Sequence, residues 1–131
     1  MKIEPSAADL LDIARTAILA DVAPALPEAQ RYAALMAANA LAIAGRELAA
    51  PDTARMEIAR IAALLGDGAP AGDDTAALRQ GTARLAARIR EGRFDEGASR
   101  ERLLEHLRET TRERLAVSNP KALTREPRKT P

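Results

Sequence analysis

Apolar side chains in this chain recur at every third or fourth position, which is the period of an amphipathic α-helix. No stretch alternates apolar and polar residues in the way that a half-buried strand does. Prolines and glycines interrupt the helical pattern at Pro24, Pro27, Pro51, Gly66, Gly92 and Pro120. Short connections favour antiparallel helices. We therefore expect an all-α fold, a single-domain antiparallel bundle of about five helices over residues 4–120, with a disordered basic tail over 121–131.

The first predicted helix begins at Ser6, which is spaced from Asp9 as in a capping box. Its expected inward face carries Leu10, Ile13, Ala14, Ala17, Ile18 and Val22. Pro24 and Pro27 cannot continue this helix, so it ends before them.

The second helix is expected from about Pro27 to Ala50. Its uncharged run of 14 residues, Tyr32 to Gly45, is apolar on nearly every side. Such a pattern is typical of a helix packed on several sides, so we expect this helix to be central and buried. The run is shorter than the ~20 residues that span a bilayer, which argues against a membrane protein.

Three further helices are expected in the second half of the chain. Their bounds are Asp52 to Gly66, Asp73 or Asp74 to Gly92, and Ser99 to Asn119. Their expected inward residues are Ala54, Ile58, Ile61 and Leu65; Leu78, Leu85 and Ile89; and Leu103, Leu107 and Leu115. Gly81 lies on the apolar stripe of the fourth helix, where we expect another helix to approach closely.

The predicted core is thin. The chain holds 31 alanines but one Phe, one Tyr and no Trp, and alanine buries little apolar area. Burying a Leu or Ile contributes about 2 kcal/mol, whereas ordering each backbone residue costs about 1–2 kcal/mol. A partner protein or a homodimer would add the missing burial.

Charge and composition exclude several classes of function. The 20 basic and 19 acidic residues nearly cancel, so there is no electrostatic reason to expect nucleic acid or an anionic membrane as a partner. The absence of cysteine rules out disulfides and thiolate chemistry, which suits a cytoplasmic protein. The first residues lack the apolar stretch of a signal peptide.

Candidate catalytic and metal-binding residues are few. His106 is the only histidine, and no metal-ligand spacing such as HExxH surrounds it. We therefore expect a boundary or surface histidine, with no catalytic residue, metal or cofactor. The glycine-rich loop 66–72 follows a predicted helix rather than a strand, so it is interpreted as a flexible connector rather than a phosphate-binding loop.

Polar residues of the second helix are the most informative candidates. Asn39 and Arg46 lie seven residues apart and project to one side, and a buried amide must find a partner or cost about 1–3 kcal/mol. Asn39, Arg46 and Glu47 are therefore expected to organise this helix, through contacts with other helices or with a ligand or partner. Arg88 and Arg90 are expected to form a charged rim at the end of the fourth helix, either as a solvated face or as a docking patch.

Four segments together resemble a known family: PSAADLLDIAR, ANALAIAGREL, LAARIREGRFD and LLEHLRETTRERLAVSNP. They are similar to an uncharacterised bacterial helical domain family of unknown function, and the resemblance spans roughly residues 4–121. That family occurs alone, or beside or fused to aminoglycoside-phosphotransferase-like kinases, and near acyl-CoA dehydrogenases. The resemblance implies a functional neighbourhood and assigns no catalytic residue.

Two kinds of function follow as expectations. The first is a non-catalytic accessory or protein-interaction module for the kinase-like or acyl-CoA dehydrogenase neighbour that the resemblance implies. The alternative is a small-molecule binding module whose pocket between helices takes an anion of the acyl-CoA or nucleotide type. A free-standing enzyme would need a nucleophile and base that the chain scarcely offers, and a DNA-binding regulator would need a recognition helix rich in base-contacting side chains.

Overall fold

The computed structural model of the chain describes residues 3–50, 52–68 and 71–125. Six α-helices are present in these ranges: α1 Ala7–Ala17, α2 Glu28–Ala49, α3 Thr53–Leu65, α4 Asp74–Arg90, α5 Gly97–Ser118 and α6 Lys121–Thr124. A π-helical turn, Ile18–Val22, and a 3-10 turn, Ala23–Ala25, connect α1 to α2. The described residues contain no strand. The all-α class is therefore confirmed, and the first five helices fall within a few residues of their predicted bounds.

The helices group into two compact units. Unit 1 comprises Met1–Ala50 and Ala116–Pro131, and unit 2 comprises Pro51–Leu115. Unit 1 therefore contains α1, α2, α6 and the last turn of α5, whereas unit 2 contains α3, α4 and most of α5.

Helix starts and ends follow the local signals of the sequence. The Ser6 hydroxyl accepts a hydrogen bond from the backbone N–H of Asp9 at 3.2 Å, and the Asp9 carboxylate accepts one from the Ser6 N–H at 2.9 Å, which confirms the capping box. The Ser6 hydroxyl also donates to the Asp9 carboxylate at 2.6 Å, and this bond, followed by the bond from the Ser6 N–H, holds the pKa of Asp9 below its ordinary value. Asp73 caps α4 by accepting from the Ala76 N–H at 2.8 Å. Gly66 ends α3 in the left-handed conformation, with φ 70°.

The predicted inward face of α1 is wrong. Leu10 and Ile13, expected inside, are 54% and 58% exposed. The side that meets α2 instead carries Leu11, whose Cβ lies 3.9 Å from the position a Cβ of Gly45 would occupy. Because α1 has apolar residues on two of its sides, its periodicity predicted a helix without showing which side packs.

The prediction that α2 is central and buried is also wrong. Ala38 is its only buried residue, and Tyr32 in its first turns is 68% exposed. Across the described residues of unit 1, the buried side chains are Ala23 and Ala38. Alanine side chains allow helices to approach closely but bury little area. Unit 1 thus has close helix contacts without a core of large side chains.

The large buried side chains belong to unit 2. Ile61 of α3, Leu85 of α4, Leu103 of α5 and Phe94 of the preceding turn form one cluster. Leu64, Leu65 and Leu78 pack against this cluster. Three of the four cluster members were predicted to point inward; Phe94 was not, because it lies in a turn outside any helical stripe. Leu107 and Ile89, predicted inward, are exposed.

The end of the chain and the loop 66–72 are described in part. Lys121–Thr124 form one helical turn, α6, while residues 126–131 of the predicted tail lie outside the described residues. Ala69 and Pro70 of the predicted connector also lie outside them. Within the described ranges, no single helix is both long and apolar enough to cross a membrane.

Gly81 permits a close approach between α4 and α3, as expected from its place on the stripe. A Cβ at this position would lie 3.2 Å from Cγ2 of Ile61, which is 2% exposed and has little room to move. A Cβ at Gly45 of α2 would make only an ordinary contact with Leu11, at 3.9 Å. Gly81 and Gly45 can therefore serve as a test position and its control.

We predict opposite effects for alanine at these two glycines. Gly81→Ala should lower the free energy of unfolding by about 1 kcal/mol, because overpacking of about 1–3 kcal/mol outweighs the gain in helix propensity. Gly45→Ala should raise it by about 0.5–1 kcal/mol, since only the propensity gain applies. Urea denaturation followed by circular dichroism measures both. A Gly81→Ala protein as stable as Gly45→Ala would show that Ile61 moves aside freely.

Candidate functional site

Two of the three buried positions on α5 are polar. Leu103, His106 and Thr110 follow one another at helical spacing and are each at most 7% exposed. Burying a polar side chain costs free energy unless it is hydrogen-bonded, so this line of α5 is an unusual place for two such residues. It directs attention to what surrounds them in unit 2.

A bidentate ion pair joins α3 to α5 beside this line. Arg60 donates from Nη1 to Oε1 of Glu113 at 3.0 Å and from Nη2 to Oε2 at 2.6 Å. Nη2 also approaches the Thr110 hydroxyl at 3.4 Å. Glu113 raises the pKa of Arg60, and both side chains are largely shielded from solvent. The fork of this arginine is therefore committed to holding the two helices together.

A second ion pair connects the same helices. Glu57 of α3 is 8% exposed, and its Oε1 accepts a hydrogen bond from Nη2 of Arg114 at 3.2 Å. Arg114 itself is mostly exposed. Because an unpaired buried carboxylate is strongly unfavourable, the ion pair with Arg114 offsets the free-energy cost of burying Glu57.

His106 is buried, in contrast to the boundary or surface position expected from the sequence. It is 6% exposed, and its Nδ1 is buried without a hydrogen-bond partner among the described residues. Burial lowers the pKa of His106, and the nearby charge of Arg60 lowers it further. The imidazole is therefore neutral at neutral pH. Its burial was missed because His106 lies on the margin of the leucine stripe that the sequence showed.

A groove of about 540 Å³ in unit 2 is lined by residues that include Arg60 and His106. One wall is formed by Arg60, Ala63 and Leu64 of α3. The other wall is formed by α5, with Glu101, Arg102, Glu105, His106 and Glu109. Its volume falls within the range of small-molecule sites, and it is lined by His106, whose Nδ1 has no hydrogen-bond partner among the described residues. We call this feature the α3/α5 groove.

Unit 1 contains a different kind of surface. Tyr32, Leu35 and Met36 of α2 are exposed and lie at positions i, i+3 and i+4, so they share one side of the helix. Asn39, one turn further on, is exposed on the same side. We call these four residues the α2 stripe.

Comparison with known proteins identifies the family. Residues 24–122 match the model of a family described as "Domain of unknown function (DUF6285)". The chain belongs to the DUF6285 family. The matched part of this DUF6285 protein includes α2 to α5, whereas α1 precedes it. The expected resemblance to a domain family of unknown function is thereby confirmed. No curated protein and no solved structure matches the chain.

The structure separates the polar residues that the sequence grouped on α2 of the DUF6285 domain. Asn39 is exposed rather than a buried amide that fixes packing. Arg46 is half-buried and donates from Nε to the backbone carbonyl of Val117 at 2.7 Å, so it binds the end of α5 within unit 1. Glu47 is exposed. Arg46 alone of the three has the expected contact with another helix.

The arginines of α4 lie elsewhere, in unit 2. Arg88 is half-buried and Arg90 is exposed, both in the last turn of α4, where positive charge is favourable to the helix dipole. Arg84 pairs with Asp67 in the connector after α3. The role of Arg88 and Arg90 as a docking rim stays a prediction.

The described side chains of both units offer surfaces for binding. Within the described ranges, no group of three His, Cys, Asp or Glu side chains lies close enough together to hold a metal ion. His106 has a lone pair available for hydrogen bonding, but Glu57 and Glu113, the carboxylates whose charges raise its pKa, are paired with arginines. The α3/α5 groove and the α2 stripe are therefore the candidate binding surfaces.

We predict that His106 makes the stability of the protein depend on pH. The pKa of His106 is lowered in the folded state. The unfolded chain therefore binds more protons than the folded chain at pH values between the folded pKa and the ordinary histidine pKa of 6.5. The free energy of unfolding should fall as the pH decreases through this value, by at most about 1.4 kcal/mol for each pH unit, and level off below the folded pKa.

The control is His106→Gln, which removes the titrating group but keeps a polar side chain. Urea denaturation between about pH 7 and pH 5 should give a flatter profile for this variant than for the unchanged protein. Equal slopes for the two proteins would show that His106 does not control the acid sensitivity.

Proposed function

We propose that this DUF6285 protein is a non-catalytic accessory module that binds a partner protein through the α2 stripe. The observation that carries the proposal is the exposure of Tyr32, Leu35 and Met36 on one side of a helix whose only buried residue is Ala38. Scattered exposed apolar residues are ordinary, but a contiguous set on one helix face is typical of a binding surface.

The chemistry of the α2 stripe suits a protein partner. Tyrosine and methionine are enriched at protein interfaces, where tyrosine offers a large apolar ring with a polar tip and methionine adapts to irregular surfaces. Asn39 adds an amide that donates and accepts hydrogen bonds, which fixes the orientation of a docked helix. An apolar set with one polar residue therefore favours a groove-forming or helical partner.

Unit 1 also gains stability from such a partner. Its buried side chains within the described residues are two alanines, and its larger apolar side chains are half-buried or exposed, so it removes less apolar area from water than a unit with large buried side chains does. A protein covering Tyr32 and Met36 would supply the burial that unit 1 lacks.

The resemblance in sequence supports a choice of partner. From it we expect such domains beside or fused to aminoglycoside-phosphotransferase-like kinases, and near acyl-CoA dehydrogenases. We therefore propose the kinase-like protein or the acyl-CoA dehydrogenase encoded next to this chain as the occupant of the α2 stripe, in the cytoplasm of a bacterium.

We predict that Met36→Glu weakens binding to this partner at least about thirtyfold, the loss of roughly 2 kcal/mol expected at the centre of an interface. The cause is the burial of an unpaired carboxylate against an apolar surface. Co-purification of the chain with the neighbouring kinase and, separately, the neighbouring dehydrogenase measures the effect, followed by titration of the purified pair.

Gln30→Glu is the matched control, since it introduces the same charge on another side of α2, at an exposed position. It should leave binding within about twofold of the unchanged protein, as surface substitutions usually shift the free energy by no more than 0.5 kcal/mol or so. The proposal fails if neither neighbouring enzyme binds the chain and neither changes its own activity when the chain is added. It also fails if Gln30→Glu and Met36→Glu weaken binding equally.

A second candidate function rests on a smaller groove in unit 1. It has a volume of about 300 Å³ between α1 and α2, and its charged lining is Arg15, Arg46 and Asp12. Two arginines against one aspartate favour an anion, which fits the alternative of an acyl-CoA or nucleotide ligand. Arg46 already donates from Nε to Val117, so Arg15 is the residue that would depend most on a ligand.

A thermal-shift measurement with acetyl-CoA and ATP tests this second candidate. A ligand at about 100 times its Kd stabilises the folded state by about 2.7 kcal/mol and raises the melting temperature. Arg15→Gln should remove the rise, whereas Arg79→Gln, at an exposed position of α4, should preserve it. A melting temperature unchanged by either compound contradicts the candidate.

A further inference from the structure

The α3/α5 groove of unit 2 is independent of the α2 stripe, and its lining has a different chemistry. Its apolar lining residues are small or aliphatic, Ala63 and Leu64 of α3 and Ala98 of α5. Charged side chains of α5 border this apolar strip. A ligand that fits must therefore combine a slim apolar body with charged or polar groups.

Part of the charge around the groove is already neutralised. The guanidinium of Arg60 is held by Glu113 in the bidentate pair. Glu109 is paired with Arg112 at 3.2 Å. These groups contribute little net charge to an incoming ligand.

The remaining charged lining residues are acidic on balance. Glu101 and Glu105 form no ion pair with any other described residue, and Arg102 forms none either. Two carboxylates against one guanidinium leave an excess of negative charge. An organic cation is favoured in such a groove, and a phosphate or carboxylate ligand is disfavoured.

His106 provides a hydrogen-bond acceptor at the same place. Its side chain lines the groove, is more than nine-tenths buried, and makes no hydrogen bond with the described residues; Nδ1 itself lies beneath the surface. A neutral imidazole carries one nitrogen with a free lone pair, and the lowered pKa of His106 preserves this form at neutral pH. An ammonium N–H donates to such a nitrogen.

The spacing of the carboxylates matches a particular class of cation. Glu101, Glu105 and Glu109 recur at every fourth residue of α5, which places successive side chains about 6 Å apart along the helix. A diamine with a four-carbon spacer separates its nitrogens by five bonds of about 1.5 Å, which gives a comparable extended length. Its methylene groups would lie on the apolar strip.

We propose that the α3/α5 groove binds a linear polyamine, with ammonium groups on Glu101 and Glu105, a hydrogen bond to the imidazole of His106, and methylene groups against Leu64 and Ala98. This site is separate from the protein-docking surface of unit 1. Either proposal can therefore fail while the other holds.

Titration of the full chain with spermidine and putrescine tests the site, with butane-1,4-diol as a neutral analogue of matched length. Because His106 is the only histidine, the ring ¹⁵N signals of the protein report on this one side chain. We expect both amines to shift these signals and the diol to leave them unchanged. Calorimetry of the same mixtures gives the affinities.

Variants of the exposed carboxylates separate a built site from general attraction to amines. Glu101→Gln and Glu105→Gln should each weaken spermidine binding about tenfold or more, the effect expected for the loss of one charged hydrogen bond. Glu96→Gln makes the same change of charge just before α5, outside the groove lining, and should leave binding unchanged. All three positions are exposed, so the fold is expected to persist.

Three results would overturn the proposal. The first is no binding of either amine at about 1 mM, the limit of a weak specific site. The second is equal weakening by Glu96→Gln, which would mean that amines respond to net charge alone. The third is binding of acetyl-CoA or ATP to this groove. Such binding would shift the His106 signals, and Glu101→Gln would increase the affinity.

Discussion

The bidentate contact between Arg60 and Glu113 is the interaction on which the chemistry of unit 2 depends. It places a charged pair beside two buried polar residues of α5, His106 and Thr110. A pair of this kind contributes modest net stability, but either partner alone would leave a poorly solvated charge. The pair also occupies the arginine fork. Burial lowers the pKa of His106, and within the pair the charge of Arg60 lowers it further whereas that of Glu113 raises it. Because Glu113 neutralises Arg60, the acidic balance of the groove follows from the pair.

The chain has few large apolar side chains, and the two units bury them to different extents. Unit 2 concentrates Ile61, Leu85, Phe94 and Leu103 into one cluster, with Gly81 allowing α4 to approach α3. Unit 1 has only Ala23 and Ala38 buried among its described residues, and its larger side chains are half-buried or exposed. The first arrangement stabilises itself through buried area, whereas the second leaves apolar surface that a partner protein can cover.

These differences explain why the two surfaces have different proposed occupants. The α2 stripe is mainly apolar and convex, as a helix face is, so we propose another protein as its occupant. The α3/α5 groove is concave, mixed in polarity and acidic on balance, so we propose a small cation as its occupant. In neither place do described His, Cys, Asp or Glu side chains form a group of three that could hold a metal ion, and the description of the DUF6285 family names no activity.

The sequence by itself determined the helices, because helical period, the Ser6–Asp9 capping box and the glycine that ends α3 are local properties of the chain. It also indicated Gly81 as a point of close approach. Only the tertiary structure decided which helix sides are covered: α1 and α2 each have more apolar surface than one neighbour can bury, so periodicity could not select the buried side. The candidate site was hidden for the same reason: His106 and Thr110 are buried where Arg60 of α3, fifty residues from Thr110 along the chain, contacts α5, and no local pattern encodes such a distant neighbour.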